Sequence, residues 1–211
     1  AEDGIRDIHC SLVGSEMCIR DRSGRGRFSR LALLLPQHAR NALSGFFAHR
    51  GPKGDAEGVI VQAVIDGPEG ILLSVRADLR GWELPGGNLD PHETEAQALV
   101  REVYEETGLH VEVGELVGEY LRTGFRPHRA RVYHCRILSG AARPSAETPV
   151  VRWFAEDALP STLFPWFRTP IDDFRAGHDA PAKRTEHLGL AEILAGLKID
   201  LKMRWTDDEH P

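Results

Sequence analysis

The sequence predicts an α/β domain in which a mixed β-sheet is covered by helices on its faces. Three observations carry this expectation. Strand-like and helix-like runs follow one another in the order β-β-α-β-β-β-α between residues 58 and 163. Hydrophobic residues make up 41 % of the 211-residue chain, an ordinary share for a folded protein of about one generous domain. No apolar run nears the ~18 residues that a membrane-spanning helix needs; the longest is 31–35.

The elements follow in chain order. Residues 1–22 read AEDGIRDIHCSLVGSEMCIRDR. Their two halves, AEDGIRD and LVGSEMCIRD, resemble two sequencing-library adapters translated in one frame and in the right order. The segment is therefore expected to be an artefact of assembly and is set aside from fold reasoning. Without it Cys135 is the one cysteine left, and the net charge of −6 becomes −4. Either value argues against a long polyanion such as DNA as the main partner. A lone cysteine without a signal peptide suggests a reducing, cytoplasmic setting.

Residues 23–54 form a basic extension and linker, with Arg25, Arg27, Arg30, Arg40 and Arg50 and no acid before 51. Pro36 is suited to the first turn of a helix. Ala39, Ala42, Leu43, Phe46 and Phe47 then recur at helical spacing. That apolar face suits packing on the domain behind it, a membrane surface, or a partner helix, a second copy of the chain included. Gly51-Pro52-Lys53-Gly54 ends the extension.

Strands are expected at 58–66 and 71–76, a helix at 94–107, and strands at 111–122, 131–138 and 150–155. A short helix is expected at 156–163 and a last one at 186–197. The resulting division is an N-terminal extension (23–54), a central domain (55–165) and a C-terminal extension packing on it (166–211).

The segment 87–109, GNLDPHETEAQALVREVYEETGL, carries the chemistry. On a helix at 94–107, Ala96, Leu99, Val100 and Val103 make an apolar stripe that faces a core. Glu102, Glu105 and Glu106 stand at i, i+3 and i+4 on a neighbouring face, and no Lys follows to offset them. Such a patch is either a solvated face or a seat for a hard divalent cation, which takes carboxylate oxygens. Arg101 lies one turn from Glu105, and Gly108 supplies a left-handed stop. Pro85-Gly86-Gly87 allows close backbone approach from the other side.

The full spacing resembles the Nudix box at every defined position: Gly87, five residues, Glu93, seven residues, then Arg101-Glu102-Val103-Tyr104-Glu105-Glu106-Thr107-Gly108-Leu109. The lead-in Trp82-Glu83-Leu84-Pro85-Gly86-Gly87 and the later Arg152-Trp153-Phe154 with Leu159-Pro160 also resemble that family. The resemblance implies a Nudix-type α/β/α sandwich with helical extensions at both ends. It implies hydrolysis of the diphosphate linkage in a nucleoside diphosphate joined to another moiety. Glu102, Glu105 and Glu106 would bind Mg²⁺ or Mn²⁺, with a backbone carbonyl from the Gly87 region. Glu93 would pair with Arg101, which would orient Glu102. The general base varies across the family; here Glu147, on a loop before a strand, and Glu106 are the candidates. His92 departs from the family, which usually has Gly there, and Asp90 stands where Glu is frequent.

Substrate recognition is less sharply marked. The basic loop 122–131 offers Arg122, Arg126 and Arg129 as phosphate contacts. Trp82, Phe125, Trp166 and Phe167 are candidates to stack on a base. Cys135 sits in an apolar strand pattern that suits a core. No subfamily signature fixes the leaving group, so a nucleotide sugar, an ADP-ribose-like compound and a modified nucleoside triphosphate stay open. So do three alternatives: a ligand sensor without catalysis, an RNA 5′-end pyrophosphohydrolase served by the basic segments, and a prenyl diphosphate isomerase, which would need a catalytic cysteine. A homodimer would fit the 23–50 helix.

Overall fold

The structure, a computed structural model, describes residues 58–205. The adapter-like segment, the basic helix and the linker all lie outside them. Eight strands and three helices follow in order: β1 (Val59–Gly67), β2 (Gly70–Val75), β3 (Trp82–Glu83), β4 (Gly86–Asn88), α1 (Glu95–Thr107), β5 (Leu109–Gly124), β6 (His128–Gly140), β7 (Val150–Phe154), α2 (Pro165–Ala176), β8 (Ala182–Leu188) and α3 (Leu190–Trp205). A single 3₁₀ turn at Glu156–Ala158 stands where a short helix at 156–163 was expected.

The sheet is mixed, with strand order β3-β2-β1-β6-β5-β8. β5 and β6 form a long antiparallel hairpin, and β1 runs parallel to β6. β4 pairs with β1 along Ile60–Gln62, the residues that β1 also offers to β6. Gly87 and Arg131 therefore flank Val61 from opposite sides. The alternation of β1 splits the core in two. Val61, Ala63 and Ile65 pack on Ala98, Leu99 and Val103 of α1, with Cys135 among them. Val64 faces the other way, toward Trp82, Phe164, Phe167 and Ile171.

The stretch beyond 165 contributes to the same sheet. β8 pairs in parallel with β5 from Gly118↔Ala182 to Gly124↔Leu188, where the sequence suggested irregular chain and the start of a helix. Its residues AKRTEHL mix charges with few apolar groups, because an edge strand faces water along one side. Buried Asp173 on α2 ties the layer together by accepting the Tyr120 hydroxyl of β5 at 2.9 Å and the Arg184 guanidinium of β8.

A buried arginine repairs a break in α2. Pro170 lies inside that helix and has no N–H to offer the carbonyl of Trp166, four residues back. Arg122, 1 % exposed, donates to this Trp166 carbonyl at 2.6 Å, pairs with Glu186 of β8 at 3.3 Å, and lies over the Phe167 ring. One side chain from β5 thus satisfies the helix and the edge strand together. Replacing Arg122 by Met is expected to cost about 2–4 kcal/mol in chemical denaturation. Adding Pro170→Ala, which restores the missing donor, should recover part of that loss. A double variant no more stable than Arg122→Met would refute the assignment.

Candidate active site

The site forms where α1 meets the β3–β4 turn. The Thr94 hydroxyl accepts from the Gln97 N–H, and the Gln97 side chain accepts from the Thr94 N–H. This reciprocal cap fixes the first turn of α1. Gly108, at φ 74°, ends the helix by donating to the Tyr104 carbonyl at 2.8 Å. The three glutamates are thus held on two rigid turns, with Val103 anchored in the core between them.

Arg101 organises the entry to the helix. It donates to both carboxylate oxygens of Glu93 at 3.0 and 2.9 Å, to Glu102 at 3.0 Å, and to the Asn88 carbonyl at 3.2 Å. Its hydrogen bonds hold the Glu93 carboxyl below the usual range, and Glu93 in turn raises the proton affinity of Arg101. The same guanidinium draws in the exposed Glu105 carboxylate at 3.4 Å.

Glu102 lies against Gly87 so closely that a Cβ there would stand 2.4 Å from its carboxyl carbon. A larger residue there would push the Glu102 carboxylate aside. Glu106 is 4 % exposed and accepts the Gly86 N–H at 3.0 Å. Burial, reinforced by the charge of Glu102, pushes its carboxyl up to about 7. Burial likewise raises Glu102 despite the help of Arg101.

Two charged neighbours were not singled out from sequence as site residues. Glu83, paired across the strands with Ser74, is raised well above the carboxylate range by burial and then by Glu106. Arg76, 4.0 Å from Glu83, offsets both acids and is itself held by Asp78 at 2.9 Å. The two-residue strand β3 shows no periodicity, so only the position of Glu83 between two buried residues, Trp82 and Leu84, hinted at its burial.

Glu147 is exposed on a pinned loop. The Ala77 N–H donates to its carbonyl at 2.9 Å, and the neighbouring Thr148 hydroxyl donates to the Glu106 carbonyl. Its charge bears on Glu102 and Glu106 alike. Among the described residues no three His, Cys, Asp or Glu side chains converge into a ready-made metal cage. Like charges spread apart, and Glu105 turns to Arg101. The donor set nevertheless suits a hard cation: Glu102, Glu105 and Glu106 are all oxygen donors, and Gly87 brings backbone to Glu102.

The expected substrate residues have the following surroundings. Arg122 is committed to the fold and has no free face for phosphate. Trp82 is 2 % exposed, packed edge-on to Phe154 under the Arg152 guanidinium, and offers no surface to a base. Arg129 pairs with Glu119 at 2.6 Å. Phe125 is half-buried beside Leu188, and Arg126 is exposed at φ 51°. Phe167 is buried, and Trp166 stacks on Phe164. Cys135, the one cysteine among the described residues, is buried, and burial pushes its thiol up to about 12, which does not suit the exposed thiolate that isomerase chemistry would need.

Known proteins resemble this chain. A NUDIX domain profile matches residues 56–174. A MutT-like protein of Streptomyces ambofaciens is 44 % identical over 102 residues, covering 48 % of this chain and 66 % of the relative, just under two thirds of its length. A CTP pyrophosphohydrolase of Escherichia coli is 34 % identical over 111 residues, covering 50 % of this chain and 82 % of the relative. The crystal structure of an ADP-ribose pyrophosphatase from Streptococcus suis superposes with a TM-score of 0.50 at 27 % identity, covering 61 % of this chain and 98 % of that one. The chain belongs to the Nudix hydrolase family.

His92, the departure from that family's glycine, sits at φ 72°, in the left-handed region that favours glycine. His92→Gly is expected to raise stability by about 1 kcal/mol by relieving that backbone; a loss of stability would show that the ring itself is needed. The buried acids make a second prediction. Glu106 titrates near 7 when folded against 4.5 unfolded, so folding holds its proton longer and the associated stability is lost as pH rises between those values. Chelator-treated protein should lose about 2–3 kcal/mol, and several degrees of melting temperature, from about pH 5 to about pH 8. Glu106→Gln should flatten that slope, and equal slopes in the two proteins would refute the assignment.

Proposed function

We propose that the chain hydrolyses the diphosphate linkage of a small nucleoside diphosphate derivative with the aid of Mg²⁺ or Mn²⁺. The observation that carries this reading is the crowding of buried and half-buried carboxylates around the Gly87 cradle, with Glu106 near neutrality. Glu102, Glu105 and Glu106, joined by the Gly87 carbonyl, would hold the ion. When bound, such an ion draws charge from phosphate oxygens and acidifies a water.

The chain's own groups then divide the work. Arg101 fixes Glu102 and keeps Glu105 close at hand. Glu106 keeps one oxygen on the Gly86 N–H and so cannot swing away. Glu147 is exposed and sits on a loop pinned to both Ala77 and the end of α1, which suits it to take the proton from the attacking water. In-line displacement leaves positioning and charge to supply most of the rate.

The substrate class is a nucleotide, as the names of the Escherichia coli and Streptococcus suis proteins suggest. The reading places the enzyme in the cytoplasm, acting on free nucleotides; an RNA 5′ end is the alternative substrate, and no DNA partner is proposed. The intact set of box glutamates weighs against a sensor.

The test is a panel of nucleoside triphosphates, nucleotide sugars, ADP-ribose and a capped oligonucleotide, assayed with each metal. Hydrolysis between two phosphorus atoms of a free nucleotide is expected to exceed that of the oligonucleotide. Glu105→Gln and Glu106→Gln should weaken Mn²⁺ binding measured by electron paramagnetic resonance and cut turnover by orders of magnitude. Glu147→Gln should lower kcat by about 10²–10³ while leaving Mn²⁺ affinity within a few-fold. Rates near those of the unaltered protein in either box variant would remove the proposed metal site.

A further inference from the structure

The last turn of α1 is completed by the loop that carries Glu147. A helix leaves its final carbonyls without donors of its own. Here the Thr107 carbonyl accepts the Arg143 N–H at 2.8 Å, and the Glu106 carbonyl accepts the Thr148 hydroxyl. Both donors belong to the stretch 141–149, between β6 and β7. The Arg143 side chain also lies over Gly108, where a Cβ would stand 2.6 Å from its Nε. A cation thus sits at the carbonyl end of the helix, where the macrodipole favours it.

The hydroxyls of this loop form a chain whose direction is fixed. A carbonyl can only accept, so the Thr148 hydroxyl points its proton at Glu106. The Ser145 hydroxyl, 2.9 Å from Thr148 Oγ1, must then be the donor in their contact. Ser145 Oγ in turn accepts the Thr148 N–H at 3.1 Å, and the Ser145 N–H donates to the Thr148 carbonyl at 2.9 Å. The two residues close a ring around Ala146 and Glu147. Thr148 is fully buried, whereas Glu147 is exposed. On its other side the Glu147 carbonyl accepts the Ala77 N–H at 2.9 Å, next to Arg76. The backbone under the Glu147 carboxylate is therefore tied to the helix that carries the box glutamates and to the chain just beyond β2.

We propose that Thr148 is a positioning residue for hydrolysis. Through the chain from Ser145 to Thr148 to the Glu106 carbonyl, it holds the Glu147 carboxylate in register with Glu102, Glu105 and Glu106. The inference rests on the hydrolase reading and adds to it a residue outside the box. Its physical ground is the steep dependence of proton transfer on placement, since a shift of about 1 Å at a reacting group can cost about 10²-fold in rate. A buried hydroxyl that ends on the main chain of Glu106 sets that placement more firmly than the exposed loop could alone.

The experiment compares Thr148→Val, Thr148→Ser and Ser145→Ala, each alone and combined with Glu147→Gln. The substrate is the member of the panel above that the unaltered protein turns over fastest, and Mn²⁺ affinity is read by electron paramagnetic resonance. Thr148→Val is expected to lower kcat at least tenfold, with KM and Mn²⁺ affinity within about twofold. Thr148→Ser, which keeps the hydroxyl, should restore most of the rate. Combined with Glu147→Gln, Thr148→Val should change kcat less than about twofold, because the group it positions has gone. Ser145→Ala leaves the Thr148 hydroxyl on Glu106 and serves if Thr148→Val fails to fold; it should lower kcat about threefold, again only while Glu147 is present. Amide exchange at 145–148 should be at least tenfold faster in whichever of these two variants is used. Losses that multiply in the two backgrounds, or a fall in Mn²⁺ affinity as large as the fall in kcat, would make the chain a support of the fold alone and overturn the proposal. An unchanged kcat would overturn it too. If the unaltered protein hydrolyses nothing in the panel, the hydrolase reading fails and the proposal with it, whereas activity without the Glu147-dependent loss sinks the proposal by itself.

Discussion

The repulsion among carboxylates gathered at the end of α1 governs the design of this protein. Glu102 and Glu106 are each made harder to ionise by burial, and each adds to the cost of its neighbours. A chain selected only for stability would replace one of them with a neutral group. Here the cost is carried by the parts around the cluster. Arg101 neutralises Glu93 and Glu102 together, the Gly86 N–H holds Glu106, and Arg76 opposes Glu83 and Glu106 from just beyond β2. Each support is partial, so the repulsion is relieved in part by holding protons longer, as the raised Glu83 and Glu106 carboxyls show.

That field is useful only if the carboxylates cannot relax away, and the fold prevents them. α1 is capped at both ends and locked to β1 through Leu99 and Val103, which are fully buried. β4 runs beside the same stretch of β1 that anchors β6, so Gly87 is placed by the centre of the sheet and not by a free loop. The acidic side chains therefore sit on rigid elements from three directions: α1, the β3–β4 strands and the loop that ends in Thr148. Rigid support of this kind is what a charged site needs to keep its geometry without its counter-ion.

Legibility in the sequence followed the local or distant origin of each feature. The central strands and α1 were readable because alternation and helical spacing are local properties, and the caps at Thr94 and Gly108 are encoded by residue type. The Arg101–Glu93 pair followed from the resemblance of the box and lies within nine residues of chain. The role of Arg122 in the fold was not legible, for the opposite reason. An arginine in a basic hairpin looks like a phosphate contact until the Trp166 carbonyl exposed by Pro170, 44 residues on, is brought beside it. Trp82 looked like a stacking surface because its burial depends on Phe154 and Arg152, which arrive from β7. β8 was missed because an edge strand of charged residues carries no apolar alternation, and the boundary of α3 because apolar and charged residues alternate around that helix with little periodicity to read.

The C-terminal stretch shows how such distant contacts extend the sheet past the box. β8 adds a strand parallel to β5, yet AKRTEHL has little apolar surface with which to hold it there. Its attachment is polar instead: Arg184 reaches Asp173, and Glu186 reaches Arg122. Both partners are buried on the β5–α2 side, so each salt bridge is made by a surface strand reaching inward to a charge that would otherwise be stranded. Removing β8 would leave Arg122 and Asp173 buried without these counter-charges, which costs more than the strand's own contacts would indicate. The polar attachment thus makes β8 a structural requirement of the sheet that carries the acids, although none of its residues touches them.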